Sequence, residues 1–248
     1  MGGPDLILPD WPAPAGVRAA FTLRTGGVSQ PPFDSFNIGA HVGDEPRAVG
    51  ENRRQLRGRL GLPVEPAWLT QVHGARVADL DAESSNGSLE PADGAVTRTA
   101  DRVCAIQAAD CMPVLFASAE GVAIGAAHAG WRGLAGGVLE AVVGAMRVPP
   151  ESLFAWLGPA IGQAHFEVGE EVRAAFLAAD PAAAAAFTAN PRGRWQCDLY
   201  GLARRRLTAL GVGQVYGGTW CTYADAGRFF SYRRDGRCGR MAALIWRA

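Results

Sequence analysis

Apolar residues recur along this chain with two distinct periods. Between positions 133 and 147, Leu134, Val138, Val142 and Met146 fall at i, i+4, i+8 and i+12, which places them on one face of a helix. The run just before, residues 121–127, is small and apolar throughout and predicts a buried strand. Further strands are expected over residues 17–23, 67–72, 102–108, 114–117, 154–157 and 241–246, with helices over 169–179 and 198–210. Asp44 and Pro46 open another helix that passes Asn52 and Leu56 and stops at Gly61. Its Arg53, Arg54, Arg57 and Arg59 read as a solvated face. Residues 24–39, crowded with turn formers, read as one long loop, and long loops inside compact domains usually carry function or move. Residues 182–186, all alanine, read as a surface helix or turn without function. Strands and helices mix without strict βαβ alternation. The expected fold class is therefore α+β, a mixed-sheet sandwich with flanking helices rather than a doubly wound sheet.

At the ends of these strands lie three segments with metal-binding chemistry: Gln71-Val72-His73-Gly74, Ala109-Asp110-Cys111-Met112-Pro113 and Ala127-His128-Ala129-Gly130-Trp131-Arg132. The chain has only four histidines and five cysteines, so their placement at three strand ends is informative. Two imidazoles and one thiolate suit zinc and leave a fourth position for water or substrate. No CxxC or HxxxH pair is present, so any such site must be assembled by folding. Taken singly, His73 and Cys111 read more readily as buried structural residues than as ligands. His128 is expected on a strand-to-helix turn, with Arg132 beside a helix N-terminus that could hold an anion. Asp110 beside Cys111 is a candidate proton shuttle, or points to the opposite face of the strand. Near the C-terminus, residues 229–235 set Phe229, Phe230 and Tyr232 against Arg233 and Arg234. That pattern fits either surface pairing with Asp235 or a substrate wall of rings and guanidinium groups.

Composition narrows the choice. The 248 residues carry a formal net charge of zero, with 48% hydrophobic and 19% charged residues. These values fit a globular protein and offer no global electrostatic case for nucleic acid. One domain spanning 1–248 is expected, because no long linker divides the chain. Every one of the 24 basic residues is arginine, which excludes Schiff-base lysine chemistry and a P-loop lysine. Phosphate or carboxylate recognition would have to use arginine forks. No apolar stretch reaches the ~20 residues needed to span a bilayer, and the first residues lack a secretory pattern. The odd cysteine count without framework spacing favours a reducing cytoplasm.

Seven motifs, in order, carry a resemblance over more than 200 residues: Arg24-Thr25-Gly26-Gly27-Val28-Ser29, Asn37-Ile38-Gly39-Ala40-His41, the three segments above (extended to Leu115 and Gly133), Leu157-Gly158-Pro159-Ala160-Ile161-Gly162, and Phe230-Ser231-Tyr232-Arg233-Arg234-Asp235. Together they resemble the laccase-domain family, also called the multicopper polyphenol oxidase or YfiH type, which includes purine nucleoside phosphorylases. Cys238 departs from the pattern, where threonine is expected. The resemblance implies a fold like that of a toxin deamidase and zinc held by His73, Cys111 and His128. It also implies phosphorolysis of adenosine, inosine, guanosine and methylthioadenosine, with adenosine deamination alongside. Arg24, Arg233 and Arg234 would then hold phosphate, and Asn37, His41 and Tyr232 would orient the nucleoside.

A multicopper oxidase mechanism is rejected on count, since only His41 and His165 would remain for a second copper cluster; copper could still replace zinc at the first site. Deamination would use the open zinc position to activate water. The H-x-E shuttle of His/Cys/Cys deaminases is missing after His128, which leaves Asp110 as the candidate proton shuttle. Three alternatives remain. They are a metal-free cysteine hydrolase or deamidase with Cys111 as nucleophile and His128 as base, a structural zinc in an interaction module, and the peptidoglycan-precursor editing linked to some bacterial relatives. A monomer acting on purine nucleosides and phosphate, with no nucleic acid or membrane partner, is the expected working form.

Overall fold

The computed structural model describes residues 5–82 and 90–248. In chain order the strands are β1 (Leu6–Ile7), β2 (Val17–Thr22), β3 (Ala67–Trp68), β4 (Val77–Asp79), β5 (Gly94–Thr97), β6 (Val103–Ala108), β7 (Met112–Ser118), β8 (Ile124–Ala129), β9 (Leu153–Leu157), β10 (Glu167–Val168), β11 (Phe187–Ala189), β12 (Trp195–Cys197), β13 (Gln214–Gly217) and β14 (Met241–Arg247). The helices are α1 (Pro46–Leu60), α2 (Trp131–Ala135), α3 (Val138–Met146), α4 (Glu170–Leu177), α5 (Leu199–Ala209) and α6 (Tyr232–Asp235).

Two mixed sheets form the centre, one ordered β1-β2-β14-β6-β3 and the other β13-β9-β7-β8-β5-β4, with a small third sheet β10-β12-β11. The side-chain alternation of β14 shows how they stack. Met241, Ala243 and Ile245 face a core shared with Leu115, Ala117, Ile124, Ala126 and Trp156 of the second sheet. Ala242, Leu244 and Trp246 face the other way, onto Leu56 of α1 with Phe36 and Ile38. The outer face of the second sheet, including Val114, Phe116 and Ala127, is covered by Val138, Val142 and Met146 of α3, by Phe176 of α4 and by Leu202 of α5. The order α1, sheet, sheet, helices leaves both sheets buried on both faces, which is why β6, β7 and β8 read as continuous apolar runs. The α+β sandwich with flanking helices is the observed architecture.

Several boundaries differ from the periodicity, each for a local reason. The single helix expected over 133–147 is two, broken at Gly136–Gly137, where Gly137 adopts φ +90. Leu134, Val138, Val142 and Met146 are nevertheless all buried together. Strand β8 begins at Ile124, because Gly121 turns at φ +68 and Val122 is 46% exposed. Strand β3 stops at Trp68, and beyond it the Gln71 side chain takes over: Gln71 Nε2 donates to the Gln107 carbonyl and the Gln107 N–H donates to Gln71 Oε1, both at 2.8 Å. Residues 181–186 form a 3-10 turn with Ala183 and Ala186 buried. Arg53 leaves the solvated face of α1; its Nε and Nη2 donate to the Ile38 carbonyl, and its guanidinium lies 4.3 Å from the Trp68 ring.

Helix α1 ends as expected at Gly61, in the left-handed region at φ 59. Its buried Asn52 also orders the long loop. The Asn52 amide donates to Ser29 Oγ and to the carbonyls of Ser35 and Asn37, and its oxygen accepts the Val28 N–H. No helix among the described residues is long and apolar enough to cross a membrane.

Candidate metal centre and active site

The edge where β7 and β8 meet the loops after β3 and before β5 gathers three of the expected residues. Cys111 immediately precedes β7, and His128 sits on β8 opposite Pro113, one residue short of the strand end. That places His128 inside the ladder rather than on the turn to α2. His73 comes from the loop after β3 and takes a left-handed φ of 61. Asp110, the residue before Cys111, does the same at φ 91, a region few non-glycine residues enter.

The ligand atoms of His73, Cys111 and His128 all lie within 4.8 Å of one another. Cys111 Sγ is 3.8 Å from His73 Nε2, and the two imidazole centroids are 4.8 Å apart with planes at 67°. His128 is buried, Cys111 is half-buried and His73 is exposed, so the group opens to solvent on one side. Among the described residues it is the one such group of three or more His, Cys, Asp or Glu side chains. Two imidazoles and a thiol at this spacing match the donor set of a three-ligand metal site with an open position. Gly130 keeps that space clear, since a Cβ built there would lie 2.8 Å from Cys111 Sγ and 3.2 Å from His73 Cδ2.

A residue the sequence reading missed holds the group together. Asp93, fully buried before β5, accepts hydrogen bonds from the N–H groups of Val72, His73 and Gly74 at 3.1, 2.9 and 2.8 Å, and from His128 Nδ1 at 2.8 Å. Its own carbonyl accepts the His128 N–H at 2.7 Å. One carboxylate therefore fixes the loop carrying His73 and the ring of His128, and it directs His128 Nε2 away from itself, as the outer-shell partners of metal-binding histidines do. The available signal was a lone acid before the buried run 94–97, but its partners lie 20 and 35 residues away in sequence.

Burial works against charge on both Cys111 and His128. It is outweighed by their mutual attraction and hydrogen bonding, by His73 beside the thiol and by Asp93 beside the imidazole. The thiol is thus held below the usual thiol range and the imidazole above its own. Burial instead pushes the thiols of Cys104, Cys197 and Cys238 up.

The remaining candidates divide by what their polar atoms touch. Asp110 turns its carboxylate to the C-terminal segment, where it accepts from Thr222 Oγ1 at 2.6 Å, Ser231 Oγ at 3.0 Å and the Arg233 N–H at 2.7 Å. Arg234 gives its guanidinium to the carbonyls of Thr222, Tyr223 and Phe229 and to Asp235. Arg24 likewise serves the carbonyls of Asp34 and Ala226 and lies 4.9 Å from the Phe230 ring. Asn37 is buried, with its amide bonded to Gly39, Asp44 and the Arg240 N–H. Arg24 and Arg234 thus tie together residues 222–229, and Asn37 joins the long loop to Arg240 before β14.

Arg233 is different. Its Nη1 donates to the Glu167 carbonyl and its guanidinium sits 5.3 Å from the Phe166 ring, while among the described residues nothing bonds its Nε or Nη2. Tyr232, 61% exposed, stands beside it in sequence. His41 is exposed; partial burial and the charges of Arg240, Arg53 and His128 lower its pKa. Helix α2 has only five residues, and the Arg132 guanidinium lies over its own neighbour Trp131 at 4.4 Å. His165 is outside the metal group, stacked 4.5 Å from Tyr223.

Relatives of known name cover nearly the whole chain. A purine nucleoside phosphorylase of Pseudomonas aeruginosa is 54% identical over 242 residues, covering 97% of each chain. The Escherichia coli purine nucleoside phosphorylase YfiH is 51% identical over 241 residues, covering 97% of this chain and 98% of its own. A crystal structure of a Neisseria meningitidis protein superposes with a TM-score of 0.94 at 50% identity over 98% of both chains. Another, YlmD from Geobacillus stearothermophilus, gives 0.85 at 33% identity, over 95% of this chain and 93% of its own. The family model of the multi-copper polyphenol oxidoreductase laccases matches residues 18–248, and with it the fold and all seven ordered motifs place the chain in that family.

Proposed function

We propose that this chain is a zinc-containing purine nucleoside phosphorylase, acting on adenosine, inosine, guanosine and methylthioadenosine, with adenosine deamination as a side activity. The observation that supports it most is the His73–Cys111–His128 group, in a chain half identical over nearly its full length to relatives named purine nucleoside phosphorylases. His73, Cys111 and His128 would hold the metal. Zinc bound there would supply Lewis-acid chemistry with one position open, and copper could occupy the same donors.

Phosphorolysis brings a phosphate oxygen to C1′ of the ribose as the bond to the purine breaks. The protein must therefore hold an anion against the sugar and receive a planar base. Arg233 offers a fork with two unengaged nitrogens, on a segment tied by its own N–H to Asp110 beside Cys111. Tyr232 and His41 complete the proposed substrate face, and Arg24, Arg234 and Asn37 brace it. A second reading has one specific observation behind it: thiol, imidazole and buried carboxylate stand in the order Cys111, His128, Asp93, the arrangement of an activated cysteine nucleophile.

The test is to identify products from inosine and adenosine with and without inorganic phosphate. Base and ribose 1-phosphate should form only with phosphate, whereas inosine from adenosine should form in either case. Arg233→Ala should lower kcat/KM for phosphorolysis by about ten- to a hundredfold, the size of a lost hydrogen bond to a charged group, while sparing deamination. Lysine should restore only part, because a point charge cannot reproduce the fork. Base release independent of phosphate overturns the phosphorylase assignment.

A further inference from the structure

We propose that Asp110 is a positioning residue that locks residues 222–235, which include the substrate wall, onto the turn carrying Cys111. The inference rests on reading His73, Cys111 and His128 as the metal centre. The geometry is unusual on two counts. Asp110 is buried and takes a left-handed φ of 91, where glycine would sit without strain. Its carboxylate, with no metal-group side chain among its hydrogen-bond partners, saturates three donors from the C-terminal segment: Thr222 Oγ1, Ser231 Oγ and the Arg233 N–H. Its carbonyl accepts the Ile161 N–H at 3.0 Å, and Thr222 in turn donates its N–H to the Ala160 carbonyl at 3.0 Å. Three chain segments far apart in sequence thus meet on one residue whose next neighbour is the thiol. A residue in strained backbone at a position glycine would fill is kept for its side chain, and this side chain does nothing but tie the wall to the metal turn.

The arrangement separates positioning from proton transfer. An asparagine at 110 can point its oxygen at Ser231 and the Arg233 N–H and its NH2 at Thr222 Oγ1, whose hydroxyl also accepts. It keeps every bond and loses only the carboxylate's negative charge and its capacity to accept a proton. Asp110→Gly relaxes the backbone, which offsets part of the cost of losing all three ties.

The experiment compares both variants with the wild type by zinc affinity, measured in competition with a chromophoric chelator, by hydrogen exchange over residues 222–235, and by the steady-state constants for phosphate. Asp110→Gly should weaken zinc by about tenfold, the size of one lost net hydrogen bond transmitted through the turn that carries Cys111. It should also speed exchange in 222–235 and raise KM for phosphate more than it lowers kcat. Asp110→Asn should recover all three to within about threefold of wild type. Wild-type zinc affinity and exchange in Asp110→Gly overturn the proposal, as does an Asp110→Asn protein whose turnover is as poor as that of the glycine variant. If the wild type binds zinc no better than Cys111→Ser, the metal reading falls separately. The rate of Cys111 alkylation then replaces zinc affinity, and a glycine variant unchanged in both that rate and exchange overturns the inference, while a change in both sustains it.

Discussion

Serine in place of Cys111 should remove the metal and the turnover together. A hydroxyl is a far poorer ligand for a soft or borderline metal than a thiolate. Zinc bound by a full protein ligand set is worth about 10–16 kcal/mol, so one ligand of three or four accounts for about 3–4 kcal/mol, or roughly two to three orders of magnitude in affinity. The thiol is half-buried beside Gly130 and makes no bond that the backbone needs. Metal analysis of purified protein should accordingly give about one zinc per wild-type chain and none for the variant. A Cys111→Ser protein that keeps its zinc would remove the thiol from the site.

Asp93→Asn should lower stability and metal affinity at once. The carboxylate receives four hydrogen bonds, and an amide can accept at only one of its two ends. With its oxygen toward His73 and His128, the NH2 meets the N–H groups of Val72 and Gly74 and leaves them unpaired. With its oxygen toward Val72 and Gly74, the NH2 meets the His73 N–H and donates to His128 Nδ1, which forces the proton onto Nε2 and removes the lone pair a metal would use. The first choice costs about 1–3 kcal/mol for each stranded N–H. The second falls on metal affinity, by about ten- to a hundredfold. Calorimetry on the apo protein and zinc titration read the two losses separately. If both were to stay at wild-type values, Asp93 would not be the residue that orients the site.

The contrast between these two residues shows what the sequence could reveal. Cys111, His73 and His128 were legible because rare residue types stood at strand ends between Gly and Pro, where a site of this kind has to be built. Asp93 was not, because aspartate is common before a strand and its hydrogen bonds run to a loop and a strand far away in sequence. The arginines could not be told apart for a related reason. Residue type marks Arg24 and Arg234 as anion binders, but only the folded chain presents them with the carbonyls of Asp34, Ala226, Thr222, Tyr223 and Phe229. The fold was legible where periodicity was long: the helix that ends at Gly61, the buried faces of β6 and β8, and the apolar face shared by α2 and α3. It was lost where a side chain does backbone work, as Gln71 does beyond β3. The two- to four-residue strands of the small sheet and of β4 and β5 are too short for any period to register.

One measurement tests the central claim most directly, that His73, Cys111 and His128 hold a metal on which nucleoside turnover depends. Protein stripped with a strong chelator should form no ribose 1-phosphate from inosine and phosphate, and one equivalent of zinc should restore the rate in wild type but not in Cys111→Ser. Full phosphorolysis by the stripped protein, abolished by alkylating Cys111, would contradict this account and move the chemistry to the thiol, the imidazole of His128 and Asp93.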